Sequence, residues 1–243
     1  MNKSLLFGSV ALLTFAAASS ASAAGFINGG FEDGSFSSWE QGGGYWSGGA
    51  YPQAQNYVAG GSSYSSGAIA NSITSAGFDS NTDNKLRTVY SGNHSARVND
   101  SNNNRSVSLI QQRVDNYSDN LIAFAYAAVL QDSHGVTDSD AFIIKLDDLT
   151  TGLNLLTVNV NSAATPASFT RSSTGWYYTD WTTYSFDVAG ADLIGHNFML
   201  SLLANDCPYG GHAGYAYLDG FGSVLPEPGA VPEPATWAMM IAG

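Results

Sequence analysis

The chain has few positive charges. Lys and Arg account for 8 of its 243 residues, Asp and Glu account for 20, and the formal net charge is −12. A nucleic-acid partner needs clustered Lys and Arg to neutralise its phosphates, so this composition argues against nucleic-acid binding. The acidic balance suits a soluble exported protein or one that meets cations.

Cysteine occurs once, at Cys207, so no intramolecular disulfide can form. Cys207 is either a small buried side chain, or it takes part in an intermolecular disulfide or a metal-bound thiolate. Two short groups contain residue types that ligate transition metals: Asp132 with His134, and Asp206 and Cys207 with His212. Neither has a diagnostic spacing, so satisfied loop histidines are the competing interpretation.

Motifs of the common catalytic sites are also missing. The sequence has no Gly-x-Ser-x-Gly elbow, no Walker loop and no dinucleotide-binding glycine motif. Adjacent acids such as Asp147 and Asp148 would point to opposite faces of a strand, whereas glycoside hydrolysis needs two opposed carboxylates. We therefore interpret the chain as non-catalytic, with distant acids that converge in space as the open alternative.

No segment shows a sustained helical apolar spacing, whereas alternation at period two recurs. It predicts strands at residues 106–114, 142–147, 153–160, 184–188, 197–204 and 215–224. Within residues 121–130 the bulky side chains share one parity and alanines the other, which predicts a central strand with one bulky and one tight face. Residues 41–84 are rich in Gly, Ser, Tyr and Asn and predict a long surface excursion with one or two short strands. The pattern indicates an all-β, antiparallel β-sandwich.

The ends of the chain differ from this body. Lys3 precedes an apolar run and then Ala21-Ser22-Ala23, which predicts a secretory signal peptide over residues 1–24. The sandwich is expected to span residues 25–224. Proline-rich residues 225–234 predict an extended linker, and residues 235–243 are apolar.

The tail resembles the start of the PEP-CTERM sorting signal of Gram-negative bacteria. The residues that carry this resemblance are Val231, Pro232, Glu233 and Pro234. It implies export to the cell envelope, surface or extracellular matrix, and processing by an exosortase-type membrane enzyme. A spanning helix needs about 20 apolar residues, and residues 235–243 supply nine, so we expect a truncated signal that cannot anchor the chain.

The body resembles galactose-binding-like jelly rolls, the superfamily that includes many carbohydrate-binding modules. The resemblance lies in residues 28–33 followed by Trp39, then in residues 90–98 and 215–221, which should form hallmark strands. Residues 206–215 also resemble the penultimate loop of secreted bacterial domains of this type. A jelly-roll fold is implied, with its first and last strands close together.

The same resemblance implies a structural calcium site. Glu32 and Asp219 would be the carboxylate ligands, and the loop carbonyls of Ser91, Gly92 and Asn93 are candidates for the remaining positions. Calcium takes six to eight oxygen ligands, which carboxylates, carbonyls and water can supply. Alternatively, the two acids cap turns or pair with Arg97 without a metal.

A dense aromatic segment is the candidate sugar site. It consists of Trp176, Tyr177, Tyr178, Asp180 and Trp181. Aromatic rings stack on the apolar faces of sugars, and Asp180 can accept hydroxyl hydrogen bonds. The alternative is that these rings pack in the core or at its rim.

These observations predict an exported, non-catalytic domain that binds or organises extracellular polysaccharide. A structural or adhesive surface protein without a specific sugar site is the alternative, and a polysaccharide-active enzyme is the third hypothesis. Ice binding is disfavoured because the body has no regular Thr-x-Thr array.

Overall fold

A computed structural model describes residues 25–131, 134–164, 166–224 and 227–229. The signal segment 1–24, the sorting motif 231–234 and the apolar segment 235–243 lie outside the described residues, as does most of the linker 225–234. Among the helices of the described part, none is long and apolar enough to cross a membrane.

Strands dominate the described residues. They are β1 (Glu40–Tyr45), β2 (Ser72–Ser75), β3 (His94–Val98), β4 (Ser106–Val114), β5 (Leu121–Gln131), β6 (Ala141–Asp148), β7 (Leu153–Val160), β8 (Thr170–Arg171), β9 (Trp176–Tyr178), β10 (Thr182–Asp187), β11 (Phe198–Asn205) and β12 (Gly214–Gly222). Short 3-10 turns occur at Ala54–Asn56, Ser66–Ala68, Ser80–Thr82 and Pro166–Ser168.

Two antiparallel sheets face each other. The five-stranded sheet has the order β1-β4-β11-β6-β7, and the seven-stranded sheet has the order β2-β3-β12-β5-β9-β8, with β10 also paired to β5. Successive strands from β3 to β6, and again from β10 to β12, alternate between the sheets, as in a jelly roll. The predicted all-β antiparallel sandwich is therefore confirmed.

The core lies between the sheets and follows the alternation in the sequence. On β5 the bulky side chains Ile122, Phe124 and Leu130 are buried in it, while Ala123 and Ala125 lie on the opposite face. The prediction of a central strand with one bulky and one tight face is confirmed, since β5 pairs with β12 on one side and with β9 and β10 on the other.

Each sheet also carries a smaller apolar cluster on its outer face. Trp46 and Tyr57, from the predicted surface excursion, pack with Leu109 and Leu203 outside the five-stranded sheet. The excursion contains the short strands β1 and β2, as expected, but part of it covers a sheet instead of extending into solvent. On the outer face of the seven-stranded sheet, Leu86 packs with Trp176 and Tyr178 of β9 and with Tyr215 and Tyr217 of β12.

One predicted strand is wrong. Residues 28–33 form turns, in which Asn28 and Phe31 have positive φ angles of 52° and 57° and the Phe31 N–H donates to the Asn28 carbonyl. Such angles are incompatible with an extended ladder. The segment nevertheless lies against β12, because the Phe221 N–H donates to the Gly29 carbonyl at 3.0 Å. The first and last segments of the sandwich therefore meet, as the resemblance implied.

Candidate functional site

Asp219 lies on β12 and is completely buried. Its Oδ2 accepts hydrogen bonds from the backbone N–H groups of Tyr90 and Ser91, each at 2.9 Å. Its Oδ1 accepts one from the N–H of Gly220 at 2.6 Å. The pKa of Asp219 is raised to about 7. Burial is the main cause and the charge of Glu32 adds to it, while the backbone hydrogen bonds act in the opposite direction.

Glu32 reaches the same loop from the turn segment. Its Oε1 accepts from the N–H groups of Asn93 and His94, each at 2.9 Å, and its Oε2 accepts from the Asn93 backbone and side-chain amide at 3.1 Å. Gly92 has a φ of 72°, and a side chain there would collide with the Glu32 carboxylate. Burial opposes ionisation of Glu32, but the hydrogen bonds from His94 and Asn93 outweigh it and lower its pKa.

The structure therefore brings Glu32, Asp219 and residues 91–93 together. The loop, however, offers N–H groups to both carboxylates, whereas a calcium ion needs free oxygen lone pairs. In this arrangement the donor set does not fit the ion, and the carboxylates act as caps of the loop. No ion pair joins Arg97 to either acid in the described part of the chain. Calcium binding stays a prediction that requires the loop to turn its carbonyls inward.

A calcium titration tests that prediction. A ligand specific to the native state raises stability by mass action, so bound calcium should raise the melting temperature of the chelator-treated chain. Glu32→Gln should abolish the effect. An unchanged melting temperature with excess Ca²⁺ would leave the carboxylate pair as a purely hydrogen-bonded cap.

The aromatic segment does not form one exposed surface. Trp176 and Tyr178 are 7% and 4% exposed and pack with Tyr215 and Tyr217 on the outer face of the seven-stranded sheet. Their rings are unavailable to a sugar, so for these two residues the ligand-binding prediction is wrong. They are buried because β9 pairs with the far end of β5, a strand remote in sequence whose other neighbour is β12.

Of the remaining residues of that segment, Asp180 borders a side cavity of about 320 Å³, together with its neighbour Thr179. Thr179 bridges the gap between β9 and β10: its N–H donates to the Ala128 carbonyl, and its Oγ1 accepts from the Ala128 N–H, both at 3.0 Å. Asp180 follows it and is exposed. Tyr177 and Trp181 are half-buried, and the Trp181 Nε1 donates to the Arg87 carbonyl at 2.8 Å. The side cavity is lined by Tyr126, Val160, Ser168, Thr179, Asp180 and Thr182.

A second concave site was not predicted from the sequence. This outer cleft, of about 280 Å³, lies on the outer face of the seven-stranded sheet. Its lining includes Phe78, Asp79, Asn81, Arg97, Tyr215 and Tyr217. The alternation of β12 indicates that both tyrosines share one face, but nothing local in the sequence connects them to Asp79 or Arg97.

The floor of the outer cleft is a fixed hydrogen-bond network. Asp79 is 6% exposed, and its Oδ2 accepts from the hydroxyls of Tyr215 at 2.7 Å and Tyr217 at 2.8 Å. Its Oδ1 accepts from the N–H of Asn81 at 2.8 Å. Burial, and next the charge of Asp79, raise the pKa values of both tyrosines, which keeps their hydroxyls protonated as donors.

Arg97 and Phe78 also line the outer cleft. Arg97 lies opposite Tyr217 in the β3–β12 ladder, and its guanidinium carbon is 5.2 Å from the centre of the Tyr215 ring. Its Nε is buried without a hydrogen-bond partner among the described residues. Phe78, at the rim, is 55% exposed. The outer cleft is thus lined by a guanidinium and an exposed ring beside a hydrogen-bonded floor.

No protein-family model and no curated protein matches this chain. Among solved structures, it is similar to the module CBM27-1 of Caldicellulosiruptor saccharolyticus in complex with mannohexaose, at 13% identity and a TM-score of 0.42 over 85% of this chain and 100% of that one. It is also similar to TmCBM61 in complex with beta-1,4-galactotriose, at 11% identity and a TM-score of 0.39 over 81% of this chain and 94% of that one. A third is CBM28, a carbohydrate-binding module specific for non-crystalline cellulose, at 15% identity and a TM-score of 0.39 over 84% of this chain and 95% of that one. These similarities are low in both sequence identity and TM-score.

Proposed function

We propose that this chain is an exported, non-catalytic β-sandwich domain that binds extracellular polysaccharide in the outer cleft. The single observation that carries the proposal is Arg97, which lines the outer cleft beside the exposed Phe78, with its guanidinium carbon 5.2 Å from the centre of the Tyr215 ring. A guanidinium carries five N–H donors in a fixed fork, so Arg97 can donate to ligand oxygens in the cleft.

The remaining lining suits a sugar. An exposed aromatic ring such as Phe78 can stack on the apolar face of a pyranose, while Arg97 and Asn81 donate hydrogen bonds to its hydroxyl oxygens. The network of Asp79 with Tyr215 and Tyr217 fixes the floor, so little side-chain entropy is lost on binding. A small number of precisely placed polar groups in a concave site is typical of ligand sites.

A glycan array followed by calorimetry tests the proposal. We expect the chain to bind at least one bacterial or algal polysaccharide, and Arg97→Gln to weaken binding about tenfold or more, since a hydrogen bond from a charged group contributes about 1.5–3 kcal/mol. Phe78→Ala should weaken binding as well. Arg113→Gln is the matched control, because Arg113 is exposed and pairs only with Asp115.

The other outcomes separate the hypotheses. No binding to any glycan would contradict the proposal and favour a structural or adhesive surface protein. Binding that survives Arg97→Gln but is lost in Asp180→Ala would assign the ligand to the side cavity. Turnover of a glycan would show an enzyme instead.

Export and any calcium dependence belong to the same proposal. Export is supported by the signal-like residues 1–24, and the sorting motif 231–234 supports a destination at the cell envelope or matrix. Secretion of a reporter fused to residues 1–24 is the direct measurement for the first of these.

A further inference from the structure

Three side chains from two loops meet at one end of the sandwich, outside both concave sites. His134 lies between β5 and β6, and Cys207 and His212 lie in the loop between β11 and β12. One ligand atom from each lies within 4.8 Å of the others. The Cys207 Sγ is 3.7 Å from the His134 Nε2, and the two imidazole centres are 4.8 Å apart at 74°.

The distance between sulfur and nitrogen agrees with coordination of one small ion. For a tetrahedral zinc ion with a Zn–S distance near 2.3 Å and a Zn–N distance near 2.0 Å, the sulfur and nitrogen ligands are about 3.5 Å apart. The observed distance of 3.7 Å between Sγ and Nε2 is close to that value. A thiolate and imidazoles select zinc among the abundant divalent ions, whereas calcium and magnesium prefer oxygen.

The loop that carries Cys207 is held in a fixed conformation. The Cys207 N–H donates to the His212 carbonyl at 3.0 Å, and the Gly211 N–H donates to the Cys207 Sγ at 3.4 Å. Both hydrogen bonds lie within the loop and fix the position of the sulfur. The preceding residue, Asp206, is fully buried and accepts hydrogen bonds from Ser106 and Gly214. The loop therefore needs little rearrangement to bind an ion.

We propose that His134, Cys207 and His212 form a zinc site that joins the β5–β6 loop to the β11–β12 loop. Cys207 is buried and His212 half-buried, while His134 and the adjacent Tyr209 are exposed. The fourth coordination position therefore faces solvent and is filled by water, as in sites with three protein ligands. The site is independent of the sugar proposal, because none of its residues lines the outer cleft.

Metal titration of the full chain tests the proposal. The chain is prepared without a histidine tag, reduced, stripped with a chelator and titrated with Co²⁺ as a spectroscopic substitute and then with Zn²⁺. We expect about one ion per chain, thiolate-to-cobalt charge-transfer absorption that Zn²⁺ abolishes, and a higher melting temperature with zinc. Calcium should neither give the charge-transfer band nor displace the bound Co²⁺.

Substitutions identify the ligands. His134→Ala should weaken Zn²⁺ binding more than about 100-fold, beyond the 10–100-fold loss typical of outer-shell partners, and His134 is exposed, so this variant should fold. Cys207→Ser should remove the charge-transfer band. His196→Gln is the matched control, since His196 contacts Asp148 instead. The proposal is overturned if Co²⁺ gives no thiolate band, or if His134→Ala binds Zn²⁺ as tightly as the original chain.

Discussion

Asp206→Ala is expected to lower the free energy of unfolding by about 3–5 kcal/mol, because it removes the acceptor of several buried donors at once. The Asp206 Oδ1 accepts from the Asn99 side chain at 3.0 Å and the Gly214 N–H at 3.3 Å. Its Oδ2 accepts from the N–H and Oγ of Ser106, each at 2.9 Å, and from the Asn104 N–H at 3.2 Å. The partners come from both sheets, so this one carboxylate connects them.

Urea unfolding of the original chain and of Asp206→Ala measures the difference in the free energy of unfolding, provided that both show the same dependence on urea concentration. Asp115→Ala is the control, since Asp115 is exposed and only pairs with the exposed Arg113; it should cost less than about 1 kcal/mol. A loss for Asp206→Ala as small as that of the control would mean that the donors find other partners and that the network does not connect the sheets.

Gly29→Ala is the second substitution with a large expected effect. A side chain at Gly29 would overlap the backbone carbonyl of Phe221, and backbone cannot move aside as the end of a side chain can. The same residues share the hydrogen bond that closes the first segment onto β12. We expect a loss of about 3 kcal/mol or more, at or above the upper end of the usual cost of overpacking.

A thermal melt of Gly29→Ala beside Gly67→Ala measures this effect. Nothing lies within 4 Å of a side chain placed at Gly67, and its φ is not positive, so alanine there should not destabilise the chain. If both variants melt at the same temperature as the original chain, the close approach of Gly29 to Phe221 does not exist in solution.

Alternation predicted much of the sandwich because half-buried antiparallel strands repeat their environment every second residue. The predicted strands 106–114 and 153–160 coincide with β4 and β7, and the strand predicted at 197–204 differs from β11 by one residue at each end. The turns were harder to predict from the sequence than the strands. The positive φ angles of Asn28 and Phe31 make turns of a segment that the resemblance treated as a strand.

The site was predictable only where the resemblance specified which distant residues meet. It brought Glu32 and Asp219 to the loop at residues 91–93, but it could not show that the loop turns its N–H groups toward them. The burial of Trp176 follows from a pairing of β9 with β5 across some 45 residues of sequence. The outer cleft depends on Asp79 reaching Tyr215, a contact between residues 136 apart that no local pattern contains.

The contact between Gly29 and Phe221 also has a consequence for how the chain is made. A ribosome releases the chain from its amino end, and the segment around Gly29 has no place to dock until β12 has left the exit tunnel. Strand β4 likewise lacks its partner β11, and β5 lacks its partner β12, until these later strands have been synthesised. The sandwich is therefore completed only after β12 has been synthesised.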